Sequence, residues 1–381
     1  MSTNANHLIM LGRVSTSYKA GIPAHVLSIL NCLSGSELTI SNLVPSLKVP
    51  VKLTQLFSSN TVKINNSCVE IECASIFVHK TFAVSISFFL RLIHLISTNP
   101  SAPIHIHLPD PISIFAVILC KKRRIIATYH ADLLGKGFFT QVYNVLLDLL
   151  FRKRNVVFVV PTPFHVSTTR LSRYSKNPVL LPFIFMKPNI TPLNIKLLQR
   201  KFDNTVTNFL FVGRQVAYKG IDVSLQAFRL IPNDLKCTYT VVGDGPLAAY
   251  NKSLSKDDPR INYTGEISNE ELSSLYLSSH IFILPSISRA EAFGIVQVEA
   301  MLSYCFCLTS YLGNGVNYVN KNGISGYNFP VGDFTALSKL MIQFAGSISS
   351  RNMLMNSARE YALSTFASTD LHESYLSLYT K

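Results

Sequence analysis

Short, continuously apolar runs recur along this chain, each separated from the next by a stretch with helical spacing. Residues 7–12 read as a first strand and residues 22–33 as a helix. Strand candidates at 38–43, 68–78, 104–108 and 125–130 then alternate with helical stretches near 82–96, 112–121 and 140–151. A run that is apolar at every position, not at every second one, suits a strand buried on both faces, and alternation at this pitch implies a parallel sheet covered by helices. After a strand at 156–160, ended by Pro161 and Pro163, the pattern loosens near Pro182–Pro188, and residues 187–200 read as a connection. It resumes with strands at 208–212, 239–242, 261–263 and 281–284 and helices at 221–230 and 270–278. The expected fold class is α/β, with two doubly wound, Rossmann-like domains facing a cleft.

A chain of 381 residues is long enough for two such domains, and with 48% of its residues apolar it is not a disordered polymer. The seven cysteines form an odd count with no C-x2-C pair, so neither a zinc site nor a disulfide frame is signalled, and a reducing compartment is expected. Met1–Asn6 lacks the layout of a signal peptide and no apolar run reaches membrane-spanning length, so a cytoplasmic location is expected. The net charge of +14 is unevenly spread, with 21 Lys and Arg against 6 Asp and Glu through residue 200 and 14 against 15 beyond it. A basic first half suits an anionic partner. Its densest clusters, Lys121-Lys122-Arg123-Arg124 and Arg152-Lys153-Arg154, adjoin apolar segments, which favours a membrane interface, while the first cluster also suits a helix C-terminal cap. Aromatic residues do not alternate with these cations as a nucleic-acid stacking platform requires.

Ligands of doubly wound sheets collect at the carboxyl ends of the strands, which selects the residues most suited to chemistry. In the first half these are His107 and, above all, His130 in Tyr129-His130-Ala131-Asp132, while His105 suits a structural role. Lys19-Ala-Gly21 in the first strand–helix loop offers a glycine where a diphosphate could approach the backbone. In the second half, Val212-Gly213-Arg214 ends a strand and Lys219-Gly220 follows, pairing a bidentate Arg with a flexible Lys. Val242-Gly243-Asp244-Gly245-Pro246 ends the next strand in a tight turn open to a base or phosphate. The run from Pro285 to Met301 contains Glu291 ahead of a helix starting near Gly294, with unpaired amides from about Phe293 to Val296 and Glu299 inside the helix. Eight residues apart, the two carboxylates point roughly 80° from each other and cannot form one acid/base pair. They suit separate parts of one extended ligand.

In this order the motifs resemble the donor-binding half of the family 4 retaining glycosyltransferases, which have the GT-B fold. Gly213-Arg214, Lys219-Gly220, Gly243-Asp244-Gly245-Pro246, Glu291-Ala-Phe-Gly-Ile295, Glu299-Ala300, Gly313-Asn-Gly315-Val316 and Asn322-Gly323-Ile324-Ser325-Gly326 carry the resemblance. It implies that Arg214 and Lys219 bind the donor diphosphate, that Glu291 and the Phe293, Gly294 and Ile295 amides hold the transferred sugar, and that Glu299 holds the ribose. His105-Ile-His107-Leu-Pro-Asp-Pro111 and the segment around His130 resemble bacterial members that build cell-surface polysaccharides such as O-antigen, with His130 near the transferred sugar. Two departures stand out: a single Gly21 where many members have two adjacent glycines, and Pro182-Phe-Ile-Phe-Met186 in place of proline followed by Gly-Ile-Asp.

The resemblance implies an acceptor-binding, membrane-facing domain over residues 1–186, a donor domain over 187–357, and a C-terminal helix over 358–381 crossing back to the first domain. The activity it implies is retaining hexose transfer from a nucleotide diphosphate sugar, GDP-mannose first and a UDP-N-acetylhexosamine second, to an undecaprenyl-diphosphate-linked oligosaccharide. No D-x-D triplet occurs, so neither a metal nor a cofactor is expected, and the protein is expected to lie peripherally on the inner face of an anionic membrane. A sugar-nucleotide epimerase is the alternative enzyme. A nucleic-acid-binding protein is the alternative from another class.

Overall fold

The computed structural model describes residues 7–380 except 14, 17–20, 49–57, 80–81, 121–122, 133–136, 154, 169, 174–176, 187–195, 197, 200 and 203–204. The chain forms two compact units, residues 1–186 with 368–381, and residues 187–367.

The first unit is an eight-stranded sheet ordered β10-β9-β8-β7-β1-β2-β4-β3. Its strands are β1 (His7–Leu11), β2 (Thr39–Pro45), β3 (Ser59–Lys63), β4 (Cys68–Cys73), β7 (Ile104–Leu108), β8 (Ile125–Tyr129), β9 (Val156–Val160) and β10 (Val179–Leu180). All pairings are parallel except that of the edge strand β3 with β4. Every residue of β7 and of β8 is buried, as a two-sided parallel strand requires. The apolar run expected at 68–78 is two elements, because β5 (Phe77–His79) leaves the main sheet to pair with β6 (Phe82–Val84) as a separate ribbon. Helices α1 (Gly21–Cys32), α2 (Ile86–Thr98), α3 (Pro111–Ile118), α4 (Phe138–Arg152) and α5 (Pro163–Thr168) connect the strands. Ser85 caps α2, accepting from the Phe88 amide at 3.0 Å, and that cap separates β6 from the helix expected to begin at 82.

Two members of the basic clusters turn inward. Arg123 donates to the carbonyls of Ile96, Asn99 and Ala102, closing the end of α2, and Lys153 Nζ donates to those of Val117, Ile118 and Cys120, closing α3. Arg123 thus takes the capping role to which the first cluster was also suited, and Lys153 of the second cluster does likewise, while Lys121, Lys122 and Arg154 lie outside the described residues. Arg123→Ala is expected to cost about 2 kcal/mol, a fall in Tm of about 4–8 °C, because three carbonyls lose a charged donor at once; calorimetry checks it.

The second unit has the strand order β13-β12-β11-β14-β15-β16, all parallel. The strands are β11 (Thr207–Val212), β12 (Cys237–Val242), β13 (Ile261–Gly265), β14 (Ile281–Leu284), β15 (Phe306–Ser310) and β16 (Gly326–Phe329). They are linked and covered by α6 (Ile221–Arg229), α7 (Ala248–Leu254), α8 (Asn269–Ser278), α9 (Ile295–Leu302), α10 (Gly315–Val319), α11 (Phe334–Ala345) and α12 (Ile348–Phe366). Chain order reverses between β11 and β14, so the loops after these two strands open side by side.

The helix expected over 358–378 is two helices, α12 and α13 (Thr369–Thr380), broken at Ala367 and Ser368. The second unit thus extends to residue 367, ten residues past the expected limit, and α13 belongs to the first unit. Tyr375 Oη donates to the Pro182 carbonyl at 3.0 Å and contacts His25 Nε2 at 3.2 Å, while Tyr379 Oη contacts His105 Nδ1 at 3.0 Å. The connection expected over 187–200 falls almost entirely outside the described residues.

Candidate active site

The loop after β11 and the loop after β14 meet in a buried ion pair. Lys219, in a 3₁₀ turn over Ala217–Lys219, places Nζ 2.5 Å from Glu291 Oε2. Burial alone lowers the ammonium's affinity for its proton, but the Glu291 carboxylate outweighs it and the net shift is upward, so Lys219 stays charged. Ser286 Oγ donates to the same carboxylate oxygen at 3.3 Å, and Asn314 Nδ2 holds the Glu291 carbonyl at 2.7 Å. The Ile287 amide donates to the Tyr218 carbonyl at 2.8 Å, tying the two loops together through backbone. Arg214 is exposed at the end of β11, and it, Lys219 and Glu291 all act electrostatically on the Tyr218 hydroxyl, so the four groups share one neighbourhood.

The Lys219 side chain lies over Gly213, with Cε and Nζ each 3.5 Å from where a Cβ would stand. Gly243 has φ +108°, and a Cβ there would come within 2.4 Å of the Gly213 carbonyl oxygen. The missing Cβ at Gly243 therefore leaves room for the Gly213 carbonyl and lets the ends of β11 and β12 pack closely. Gln215, absent from the sequence expectations, completes that weld: Nε2 donates to the Gly243 carbonyl and Oε1 accepts from Asn251 Nδ2, both at 2.8 Å.

Gly294 stands at the N-cap of α9 with φ +72°, a conformation a side chain resists, and a Cβ there would press within 2.4 Å of Gln297 Nε2. Gln297 in turn donates to the Phe293 carbonyl at 3.0 Å. This turn aims the first free amides of α9, from Ile295 onward, beside Glu291, giving a positive dipole end next to the ion pair. Phe293 is buried and packs edge-on to Phe366, with ring centroids 6.0 Å apart. Glu299 lies one turn into α9 and accepts from Tyr276 Oη at 3.1 Å; burial raises its pKa while the Tyr276 hydrogen bond lowers it less. Among the described residues, Glu291 and Glu299 have different side-chain partners, Lys219 and Ser286 for the first and Tyr276 for the second.

In the first unit, His130 follows β8 and is buried, its Nε2 3.0 Å from His107 Nδ1. Asp132 is bonded to Tyr129 Oη and the Arg170 amide, so His107, not the nearby carboxylate, is the imidazole's partner. The His130 ring lies 5.3 Å from that of His25 and 4.8 Å from that of Phe183, and burial holds His25, His105 and His130 well below the ordinary imidazole range and His107 at about 3. His25, His107 and His130 present ring nitrogens within 4.8 Å of one another, the grouping among the described residues that comes nearest to a metal-ligand set. Tetrahedral zinc at about 2.0–2.1 Å spaces its nitrogens roughly 3.4 Å apart. Here His25 Nε2 is engaged with Tyr375 and the His107–His130 contact is a hydrogen bond, so the cluster holds together as neutral imidazoles. His105 is bonded to Thr128 and Tyr379, the structural role expected of it. Gly21 begins α1, and residues 17–20 before it are not described. Glu70, which the sequence did not single out, anchors the loop after β1 by accepting from Ser15 Oγ, the Thr16 amide and Asn42 Nδ2 at 2.6, 3.0 and 2.8 Å.

Residues 198–361 match the family described as glycosyl transferases group 1. Among curated proteins, the chain is 23% identical to O-antigen chain mannosyltransferase C of Escherichia coli over 68% of this chain and 69% of that one. It is 25% identical to D-rhamnosyltransferase WbpZ of Pseudomonas aeruginosa over 57% of this chain and 56% of that one. Among solved structures, sucrose-phosphate synthase of Thermosynechococcus elongatus superposes with a TM-score of 0.76 at 15% identity, covering 98% of both chains. WaaG, a glycosyltransferase involved in lipopolysaccharide biosynthesis, superposes at 0.71 and 14% identity, covering 98% of this chain and 99% of its own. Anabaena HepE in complex with UDP and glucose gives 0.71 and 15%, covering 97% of this chain and 98% of its own. The chain thus has the GT-B fold, two doubly wound units, and the part of it that matches glycosyl transferases group 1 is the part that carries the buried Lys–Glu pair at the strand-order reversal.

Proposed function

We propose that the protein moves a hexose, with retention of configuration, from a nucleotide diphosphate sugar to an undecaprenyl-diphosphate-linked oligosaccharide in O-antigen or capsule assembly. The observation that carries this reading is the Lys219–Glu291 pair seated beside the start of α9. Arg214, Lys219 and the Ile295-side amides take the charge that develops on the leaving diphosphate, the work a metal does elsewhere. Glu291, with the Gly294 turn, holds hydroxyls of the transferred sugar and Glu299 the ribose, while His130 is the first unit's candidate for hydrogen-bonding a sugar hydroxyl. The acceptor oxygen forms its bond to the anomeric carbon on the face from which the phosphate oxygen departs, and that phosphate oxygen takes the acceptor's proton. Glu291 is already committed to Lys219, which supports a binding role over that of a covalent nucleophile. GDP-mannose is the first donor candidate and a UDP-N-acetylhexosamine the second; relatives named for mannosyl and D-rhamnosyl transfer support the former, and HepE solved with UDP and glucose keeps a UDP sugar in view.

A panel of nucleotide sugars assayed against a synthetic lipid diphosphate sugar, with and without EDTA, tests the reading. Transfer of one hexose, insensitive to EDTA and with the donor's anomeric configuration kept, is expected; donor converted to an epimer without any acceptor points instead to an epimerase. Glu299→Ala is expected to raise the donor KM about tenfold or more with a smaller change in kcat, because ribose contacts are made equally in ground and transition states. A kcat collapse at unchanged KM would remove Glu299 from the ribose.

A further inference from the structure

His107 and His130 stand side by side at the carboxyl ends of β7 and β8, and the proton between them decides what His130 can offer a ligand. The strands hold both rings in place. His107 pairs with Thr128 in the β7–β8 register, and the His130 amide extends that ladder by donating to the Leu108 carbonyl at 3.0 Å. The His107 ring packs on that of His105 at 4.4 Å between centroids, and the His130 ring on that of Phe183 at 4.8 Å. His165 braces the His130 backbone, with Nδ1 at 2.8 Å from Thr162 Oγ1 and Nε2 at 3.0 Å from the His130 carbonyl. A carbonyl only accepts, so His165 carries its proton on Nε2.

Burial keeps the clustered rings neutral, so each has one N–H and one bare nitrogen, and the bonds around the cluster distinguish them. The hydroxyl proton of Tyr375 goes to the Pro182 carbonyl, so His25 Nε2 donates to Tyr375 Oη. His25 Nδ1, buried without a partner among the described residues, is therefore a bare lone pair. His107 has a buried orphan of its own at Nε2. An unmatched N–H is the rarer orphan in a protein interior, and the neighbouring orphan is a lone pair, so His107 Nε2 is bare and its proton sits on Nδ1. That proton lies along the 3.0 Å contact to His130 Nε2, which accepts it. The proton of His130 is then on Nδ1. This atom makes no hydrogen bond among the described residues and, unlike His25 Nδ1 and His107 Nε2, is not sealed from solvent. We infer that His107 is a positioning residue that fixes His130 as the Nδ1–H tautomer, so that His130 gives a hydrogen bond to a ligand oxygen and cannot take one. Donation from His107 polarises the second ring and strengthens the bond it gives. The consequence for a sugar hydroxyl rests on the function proposed above, whereas the tautomer rests on the protein alone.

Proton–nitrogen correlation spectra of the full chain carrying isotope-labelled histidine read which nitrogen of each imidazole is protonated. The His130 signals, identified by their loss in His130→Gln, are expected to show Nδ1 protonated and Nε2 bare. In His107→Leu, which has no proton to give, that tautomer is expected to lose its dominance, and His107→Asn, whose amide N–H stands where Nδ1–H stood, is expected to restore it. In the transfer assay kcat/KM is expected to fall about tenfold or more in His107→Leu and to return to within about threefold of wild type in His107→Asn. Nucleotide sugars with each hydroxyl in turn replaced by fluorine or by hydrogen read the direction of the bond, because fluorine accepts weakly and cannot donate. At the hydroxyl that meets His130, the fluoro sugar is expected to be used about tenfold better than the deoxy sugar, a preference that His107→Leu loses. Should His107→Leu fail to fold, the wild-type spectrum and His107→Gln, whose amide stands at the Nε2 position instead, carry the same test. His130 protonated on Nε2 in the wild type, or an unchanged tautomer in folded His107→Leu, overturns the inference and leaves the transfer reaction standing. Nδ1 protonated in the wild type, with no position at which fluorine and hydrogen differ, upholds the role of His107 and removes His130 from the sugar.

Discussion

Lys219→Ala is expected to lower kcat by about 100- to 1000-fold, the cost of removing one preorganised charge from a leaving group in a water-poor site. The same substitution destabilises the second unit, because Glu291 is left as a buried carboxylate without its cation, an uncompensated charge worth about 3–5 kcal/mol. The 2.5 Å pair ties Glu291 to the fold as well as to the chemistry. Either single truncation strands the partner's charge, so activity and stability fall together. Two further variants separate the effects. Glu291→Gln keeps the shape and leaves a cation that the donor diphosphate can neutralise, so its stability is expected to recover on adding nucleotide; Lys219→Met/Glu291→Leu removes both charges and is expected to be as stable as wild type yet inactive. Wild-type transfer by Lys219→Ala would remove this pair from the chemistry. Chemical denaturation with and without nucleotide diphosphate reads the stability arm.

The first unit is expected to unfold steeply between about pH 6.5 and 5. Burial depresses His25, His105, His107 and His130 in the folded state, whereas in the unfolded chain each titrates near 6.5. Below that pH the unfolded chain binds protons that the native cluster refuses. The stability contributed by these neutral rings is therefore complete above 6.5 and is lost as pH falls. Each imidazole contributes a slope of up to about 1.4 kcal/mol per pH unit, so a buried cluster of them bears heavily on a domain stability of about 5–15 kcal/mol. His165 is lowered as well and adds to the slope. Asp110 opposes it, since burial raises that carboxyl, but its gain enters only toward the ordinary carboxylate range. Urea denaturation at pH 7.5, 6 and 5, followed by hydrogen exchange resolved between the two units, reads the effect. His107→Asn is expected to flatten the slope even if it lowers stability at pH 7.5. A first unit equally stable at pH 7.5 and 5 would show that the rings are charged or wet.

How much of this was legible beforehand depends on distance along the chain. The motif Glu291 to Glu299 was readable because a strand end, a glycine reversal and a helix start lie within one continuous stretch, and local physics places each in turn: Gly294 caps α9 and Glu299 sits one turn inside it. The strands β7, β8, β11 and β14 were readable because burial on both faces leaves them mostly apolar, with His105, His107, Thr128, Thr207 and Asn208 the polar exceptions. By contrast β3, polar and exposed along an edge, carries no such pattern. β15 and β16 also went unread, the second a four-residue strand opening on Gly326. Ser286, Gln215 and Glu70 act through partners that only the loops' three-dimensional return provides.

By itself the sequence determined an α/β chain of two doubly wound units and the order of charged residues at their strand ends, because period, burial and strand–loop–helix order are properties of neighbours. The tertiary structure decided the pairings. Lys219 meets Glu291, 72 positions away, because strand order reverses between β11 and β14. His130 meets His107 and not Asp132, and Arg123 and Lys153 turn inward to close helices while the apolar faces of those helices stay outside. Charge and hydropathy are written residue by residue, but which cation is neutralised and which apolar face is left over depend on what the fold brings alongside.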